Sequence, residues 1–499
     1  MKTKTLALLL NLVLLAALTL SACGGTPAAT EEAPAPVETE ETVPTEAAAV
    51  TEAPAVAEVP AGVIPFPAEI AGGRPVEITV VGIPTEANPT GLADWNAAAE
   101  RFMAKYPNVT VIGNDYVYAP DTFPALVAGD QVPTLFQAYL TDVDQMASQG
   151  IAADLTGYYA DTKLDEVFNP RLLSLVSKDD KVYGVPMAAY VMGMAYNIQM
   201  LKDAGYDAPP KTWDELGPMA QKLTNRDAGI AGFSFIRGEP HQAGWHTTTM
   251  AYNFGLKDAE IVTRDGDKYT AGFDNEATLA TLNFIKDLQW KYDALPRELL
   301  DWPTNGDALA TGRAAMVLMA GSQLKWIKET YPDVDMDQFG FAPLPAGPNG
   351  QMVSLGGGDV AYISAKASAD EQEAAFYYRL FVQFDEGELK AKYEATRTNP
   401  TAVIGDPSFP MYVGEFQEKI DALTEEYANL PVENYTAFNE AVVAGEVGLQ
   451  NEPQIAGQDY YAALGDVVSL IVSDENTDPA AALTAAAQTF QTNVLDQLK

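Results

Sequence analysis

A β-branched run, Val76-Glu77-Ile78-Thr79-Val80-Val81, is followed by a Gly/Pro break from Gly82 to Pro89. Next comes Leu92 to Tyr106, which places Leu92, Trp95, Ala99, Phe102 and Met103 on one helical face, and then Val109-Thr110-Val111-Ile112. Two strands joined by a helix of this length must lie parallel, because a short hairpin cannot connect parallel neighbours. The spacing therefore predicts an α/β fold on a parallel sheet. Ligands of such sheets lie beyond the carboxyl ends of the strands, so the loop Ile83 to Thr90 is a candidate wall. Further along, Thr212 with Glu215 three residues on reads as a capping box, Glu276 to Tyr292 and Glu371 to Phe384 read as helices, and the chain after Pro400 is mostly helical. No repeat at a period of 20 to 50 residues interrupts this pattern, and 499 residues favour two lobes over one core.

The first 73 residues have a different character. Residues 1–22 carry Lys2 and Lys4 and then an apolar run from Leu6 to Leu20, broken only by Asn11 and Thr19. At about fifteen residues the run is shorter than the roughly 20 that span a bilayer, which is the layout of an export signal. It ends in Leu20-Ser21-Ala22-Cys23-Gly24, similar to a bacterial lipobox, which implies lipidation of Cys23 and a lipid anchor at the cell membrane, facing the extracytoplasmic side. Residues 24–73 hold nine Glu, no Lys or Arg and few large apolar groups, and are expected to form a disordered tether. Such a segment reaches roughly 150 Å as polyproline and about 40 Å as a flexible coil.

Charge removes several functions. Against 30 Lys+Arg stand 69 Asp+Glu, a net charge of −39; setting aside two leader lysines and nine tether glutamates leaves −32 on residues 74–499. That field repels phosphate backbones, so no nucleic-acid partner is expected. One cysteine and the histidines His241 and His246 provide no disulfide framework and no His-ligated metal centre, and no cofactor is expected.

The set Tyr183-Gly184-Val185-Pro186, Tyr196-Asn197, Ala204-Gly205 and Pro209-Pro210-Lys211-Thr212-Trp213-Asp214-Glu215-Leu216 resembles the extracellular solute-binding protein family 1, the binding subunits of ABC importers for sugars and related solutes. Phe102 to Val111, Ala128 to Gly150, Thr311 to Met316, Pro343 to Pro345, Gly356 to Gly358 and Arg397 to Pro400 resemble further family elements. The resemblance implies a two-lobe periplasmic-binding-protein-like (type II) fold, with three interlobe crossings near Pro186 to Val191, Leu344 to Gly350 and Tyr393 to Asn399. One lobe is expected to hold residues 74–188 and 348–394, the other 189–345 and 398–499, with the ligand cleft between them.

Carried onto this sequence, the family's cleft positions are Thr85 and Glu86 in the first loop, Tyr139, Thr141 and Asp142 after the third strand, and Tyr190 at the first crossing. The polar and aromatic stretch Gly238 to His246 adds Glu239, His241 and Trp245, read as a loop before a helix. Trp302 is a candidate stacking platform. Ser322 and Gln323 stand where many sugar-binding members carry a Trp after a Gly; here the nearest, Trp326, comes later. Gly357, Gly358 and Asp359 form the cleft edge as a Gly-rich loop, and Arg397 with Asn399 is placed to bridge the lobes. A saccharide needs carboxylates, amides and aromatic faces of this kind.

The resemblance implies a monomeric, lipid-anchored, non-enzymatic receptor that captures a sugar or oligosaccharide by lobe closure for ABC permease subunits. Two alternatives stay open: the same receptor for a polyamine or for iron held by tyrosinates, and an anchored polysaccharide hydrolase with paired carboxylates. Neither a GxSxG elbow, a P-loop nor a complete GxGxxG occurs.

Overall fold

The computed structural model describes residues 64–498 apart from positions 87, 267, 400 and 401. The export signal, Cys23 and the tether up to residue 63 lie outside the described residues. The last ten residues assigned to the tether do not behave as one. Ile64, Ile70 and Ala71 are buried, Phe66 packs edge-on against Phe381 at 6.3 Å, and the Ala71 amide donates to Glu373 at 3.0 Å. Apolar side chains return to the sequence at Ile64, and their burial offsets the cost of ordering this stretch.

Among the described residues the main sheet has nine strands: β1 (Val76–Val81), β2 (Val109–Asn114), β3 (Leu135–Tyr139), β4 (Gly184–Asn197), β5 (Ala231–Ser234), β6 (Ala314–Ala320), β7 (Phe339–Ala342), β8 (Met352–Ile363) and β9 (Val447–Asn451). The order is β2-β1-β3-β8-β4-β6-β5, with β7 paired to β4 and β9 to β8. β1 and β2 pair in parallel from Val76 opposite Val109, as the strand-helix-strand pattern requires. The connecting helix is α1 (Pro89–Lys105), capped by Asn88, whose side chain accepts from Gly91 N.

The two longest strands join the halves of the molecule. The first part of β4 pairs antiparallel with β8, and its second part pairs with β6 and β7. Gly356–Gly358 are strand residues in this ladder, opposite Val191, Tyr190 and Ala189, rather than the expected loop. Glycine is needed there because a Cβ on Gly358 would lie 2.0 Å from the Ala188 carbonyl oxygen.

Helices framing the site are α2 (Pro240–Asn253), α3 (Trp302–Ala310), α4 (Ser322–Thr330), α5 (Ala369–Phe384), α6 (Glu386–Glu394) and α7 (Gly457–Ser473). α5 begins in a full capping box between Ser368 and Glu371. At Thr212 the expected box does not form: Glu215 accepts from the amide of Lys211, one residue before the cap, at 2.8 Å, and the Thr212 side chain makes no cap bond.

One core gathers Ile78, Val80, Phe102, Leu135, Phe376 and Phe381; another gathers Trp213, Phe233, Met250, Met316 and Leu464. Residues 411–427 were expected in the second lobe but pack on the first core, with Tyr412 and Phe416 against Phe384 at 5.7 and 5.1 Å. Aromatic burial there outweighs sequence order.

Candidate functional site

The carboxyl end of β3 delivers Tyr139, and the chain turns at once into a 3-10 turn holding Leu140–Asp142. The turn forms because Asp142 Oδ2 accepts from the Tyr139 amide at 3.1 Å. Asp142 is buried; that burial pushes its carboxyl up to about 6 against hydrogen bonds from Tyr139, Tyr118 and Thr141. Tyr118 stands edge-on to Tyr139 at 5.2 Å.

β4 places Tyr190 next to this turn. Its ring meets Trp245 of α2 edge-on at 5.5 Å. Its hydroxyl converges with Glu452 Oε2 over Gly357, where a Cβ would lie 2.3 and 2.4 Å from those two atoms. Glu452 is 4% exposed, and its Oε1 accepts from the Tyr461 hydroxyl at 3.3 Å. Burial, with Asp142 and Asp359 as neighbouring charges, pushes its carboxyl up to about 8 against hydrogen bonding from the tyrosines. Asp359 lies opposite Tyr139 in the β8–β3 ladder and is also raised by burial.

α2 contributes the opposite wall. Its start follows from Glu239-Pro240: the Glu239 side chain accepts from the His241 and Gln242 amides at 3.1 and 2.8 Å, and proline fits the first helical position. Helix therefore begins at Pro240, and His241 and Trp245 lie within it rather than in a loop. His241 Nδ1 is 2.8 Å from Glu239 Oε1, and that hydrogen bond raises the imidazole above its ordinary value. Gln458 Nε2 at the start of α7 donates to Thr141 Oγ1 at 3.0 Å, closing contact between the two halves.

Tyr139, Thr141, Asp142, Tyr190, Glu239, His241, Trp245, Gly357, Gly358 and Asp359 thus form one acidic, aromatic constellation. Others fall elsewhere. Thr85 and Glu86 are exposed in the first loop. Trp302 packs edge-on against Trp326 at 5.1 Å, its amide donates to Gln242 at 2.8 Å, and its carbonyl accepts from the buried Gln323. Ser322 opens α4 beside Gly321, whose amide donates to Val191 at 3.1 Å. Asn399 accepts from the Ala402 amide. Arg397 is exposed, paired with Glu426 at 2.9 Å and stacked over Tyr427 at 4.2 Å. Arg397→Ala is therefore expected to change stability by at most about 1 kcal/mol and leave solute affinity within about twofold, read by unfolding and titration calorimetry.

Sequence reasoning missed Tyr118, Glu452, Gln458 and Tyr461. Glu452 had one usable signal: it follows β9 directly, at the carboxyl end of a strand.

Residues 86–384 match the profile of a family described as bacterial extracellular solute-binding protein. A protein of Brucella abortus (strain 2308), described as a binding protein, is 29% identical over 229 residues, covering 45% of this chain and 52% of its own. The maltooligosaccharide ABC transporter solute-binding lipoprotein of Streptococcus pneumoniae (strain ATCC BAA-255 / R6) is 25% identical over 234 residues, covering 45% of this chain and 50% of its own. The chain thus spans about half the length of the curated relatives it matches. Maltose-bound MalE3 of T. maritima superposes with a TM-score of 0.67 at 21% identity, over 84% of this chain and 100% of that one, so the fold is of that two-lobe type.

Proposed function

Since the chain belongs to the bacterial extracellular solute-binding protein family, we propose that it is the solute-capturing subunit of an ABC importer, and that its solute is a saccharide. The observation that carries the saccharide reading is a pair of buried polar atoms. Among the described residues, Trp245 Nε1, a donor, has no hydrogen-bond partner, and Glu452 Oε2, of a carboxyl pushed up to about 8 and so protonated at neutral pH, meets only the Tyr190 hydroxyl beside it; both side chains pack on Tyr190. Leaving such groups unmet costs about 1 to 3 kcal/mol each. Hydroxyl groups can both donate and accept, whereas an ammonium cannot accept from the Trp245 N–H or from a protonated carboxyl. The surrounding tyrosines offer faces for the C–H surface of a sugar ring.

Capture proceeds by closure of two lobes about β4 and β8. Contacts of the loop 344–350 with Lys211 and Gln351 favour placing the second crossing within Gly356–Asp359 of β8. Because residues 411–427 pack on the first core, the third is best placed where the chain reaches Leu430, after Tyr427. On this reading the protein acts as a monomer, is held outside the cytoplasm through Cys23, hands its solute to permease subunits and does no chemistry on it. No helix among the described residues is long and apolar enough to cross a membrane.

Closure that depends on ligand stabilises the folded state through binding linkage, by about 2.7 kcal/mol at a ligand concentration one hundred times Kd. A thermal unfolding panel of neutral and acidic saccharides, with spermidine and ferric ion as further arms, should show a concentration-dependent rise in Tm for a saccharide. A rise confined to spermidine or iron would sink the saccharide reading. Steady release of reducing ends from a polysaccharide would sink the receptor reading.

A further inference from the structure

The acidic cluster borders a space of opposite character on the same face of the sheet. Between α1, α5, α6 and the ends of β1 and β3 lies a cavity of about 560 Å3. Trp95, Gln137, Met187, Arg379 and Lys392 are among its walls. Gln137 stands two residues before Tyr139 on β3, about 7 Å along the strand and on the same side of the pleat. Its amide also interacts with Asp359, so the cavity opens beside the cluster.

Cations are scarce in a folded body of charge −32, and two at this cavity make no direct ion pair among the described residues. Arg101, another wall residue, is neutralised by a two-point pair with Glu388, and Asp94 lies nearby. By contrast, Arg379 and Lys392 make no ion pair among the described residues. Arg379 donates through Nη2 to the neutral amide of Gln383, and its buried Nε has no partner. Lys392 lines the cavity from α6 with its side chain exposed, with Lys325 and Arg379 near it as like charges and Asp406 as an opposite one. A buried guanidinium with an unpartnered Nε, beside an ammonium with no direct ion pair, is costly until an anion meets it, even with Asp94 and Asp406 in the neighbourhood.

We propose that this cavity is a subsite for an anionic substituent on the solute, a carboxylate or a phosphate, received by Arg379 and Lys392 while neutral hydroxyls occupy the Tyr139–Glu452 cluster. Arg379 offers a planar fork and Lys392 a point charge, the usual pairing for such groups. The inference rests on the saccharide-receptor reading and narrows it to acidic saccharides.

Titration calorimetry of the full chain with matched neutral, uronate-containing and phosphorylated di- and trisaccharides tests it. An anionic member should bind at least about tenfold tighter than its neutral counterpart, with affinity falling as salt is raised. Lys392→Gln and Arg379→Gln should each remove that preference while leaving neutral binding within about twofold. Preference for the uronates assigns a carboxylate, and preference for the phosphorylated sugars a phosphate; either supports the subsite. Neutral saccharides bound as tightly as their anionic counterparts, or a preference that survives Lys392→Gln, would overturn the subsite and leave the receptor reading standing. Binding by no saccharide of any charge would overturn both. Should Arg379→Gln fail to fold, the exposed Lys392 carries the test.

Discussion

Gly244→Ala is expected to lower the unfolding free energy by about 3 kcal/mol and to abolish solute binding in whatever remains folded. α2 and α7 cross with almost no space between their backbones. A Cβ on Gly244 would lie 1.9 Å from the Tyr461 carbonyl oxygen, and one on Gly465 would lie 2.0 Å from that of Pro240. Both obstacles are main chain, so neither can rotate away, and the helices must separate. Such a displacement strips packing from Met250, Tyr460, Leu464 and Val468 in the second core. It also moves the binding residues, because Glu239 caps one helix while Tyr461 on the other holds Glu452. Denaturant unfolding and calorimetry on the same sample check both effects. An alanine variant within about 0.5 kcal/mol of the parent would refute the close crossing.

Stability of the unliganded protein should fall as pH rises from 6.5 to 8, and Glu452→Gln should remove most of that fall. The sign follows from linkage. Glu452 titrates near 8 in the folded chain against an ordinary value of 4.5, so between those values the folded state binds more protons. Its contribution is therefore most favourable below pH 4.5 and is lost as pH rises through 8. Each unit is worth about 1.4 kcal/mol, which makes roughly 5 kcal/mol in all and about 2 kcal/mol between pH 6.5 and 8. Asp142 acts in the same direction but is spent by pH 6. His246, held neutral with its value pushed down to about 3 by burial, acts oppositely, and its effect ends at 6.5. The window from 6.5 to 8 thus belongs to Glu452 together with His241, whose imidazole, raised by Glu239, acts in the same direction. Chemical denaturation across it, with and without the substitution, is the measurement; a flat profile for the unsubstituted protein would count against a buried, protonated Glu452.

Local features of the chain were readable without coordinates. β-branched runs and helical stripes foretold β1, α1 and β2, and the helices read over Glu276 to Tyr292 and Glu371 to Phe384 form over Glu276–Trp290 and Ala369–Phe384. Chain order was less informative about residues 411–427, because Tyr412 and Phe416 choose a core by fit to Phe384, which no sequence period encodes. Likewise the glycines at 356–358 were read as a loop, since their reason lies in the neighbouring strand and in the Tyr190 hydroxyl.

From its sequence alone this protein determined its α/β alternation and its family, because propensity, capping and motif spacing act over a few residues, and the family resemblance pointed to ten of the residues that meet around Tyr139 and Tyr190. Tertiary structure alone decided that Glu452 and Tyr461 join that cluster, that Arg397 turns away to Glu426, and that Arg379 and Lys392 share a cavity with no direct ion pair among the described residues. Those outcomes depend on which distant strands and helices pair, and on burial, which sets the proton and hydrogen-bond balance of a side chain only once its neighbours are in place.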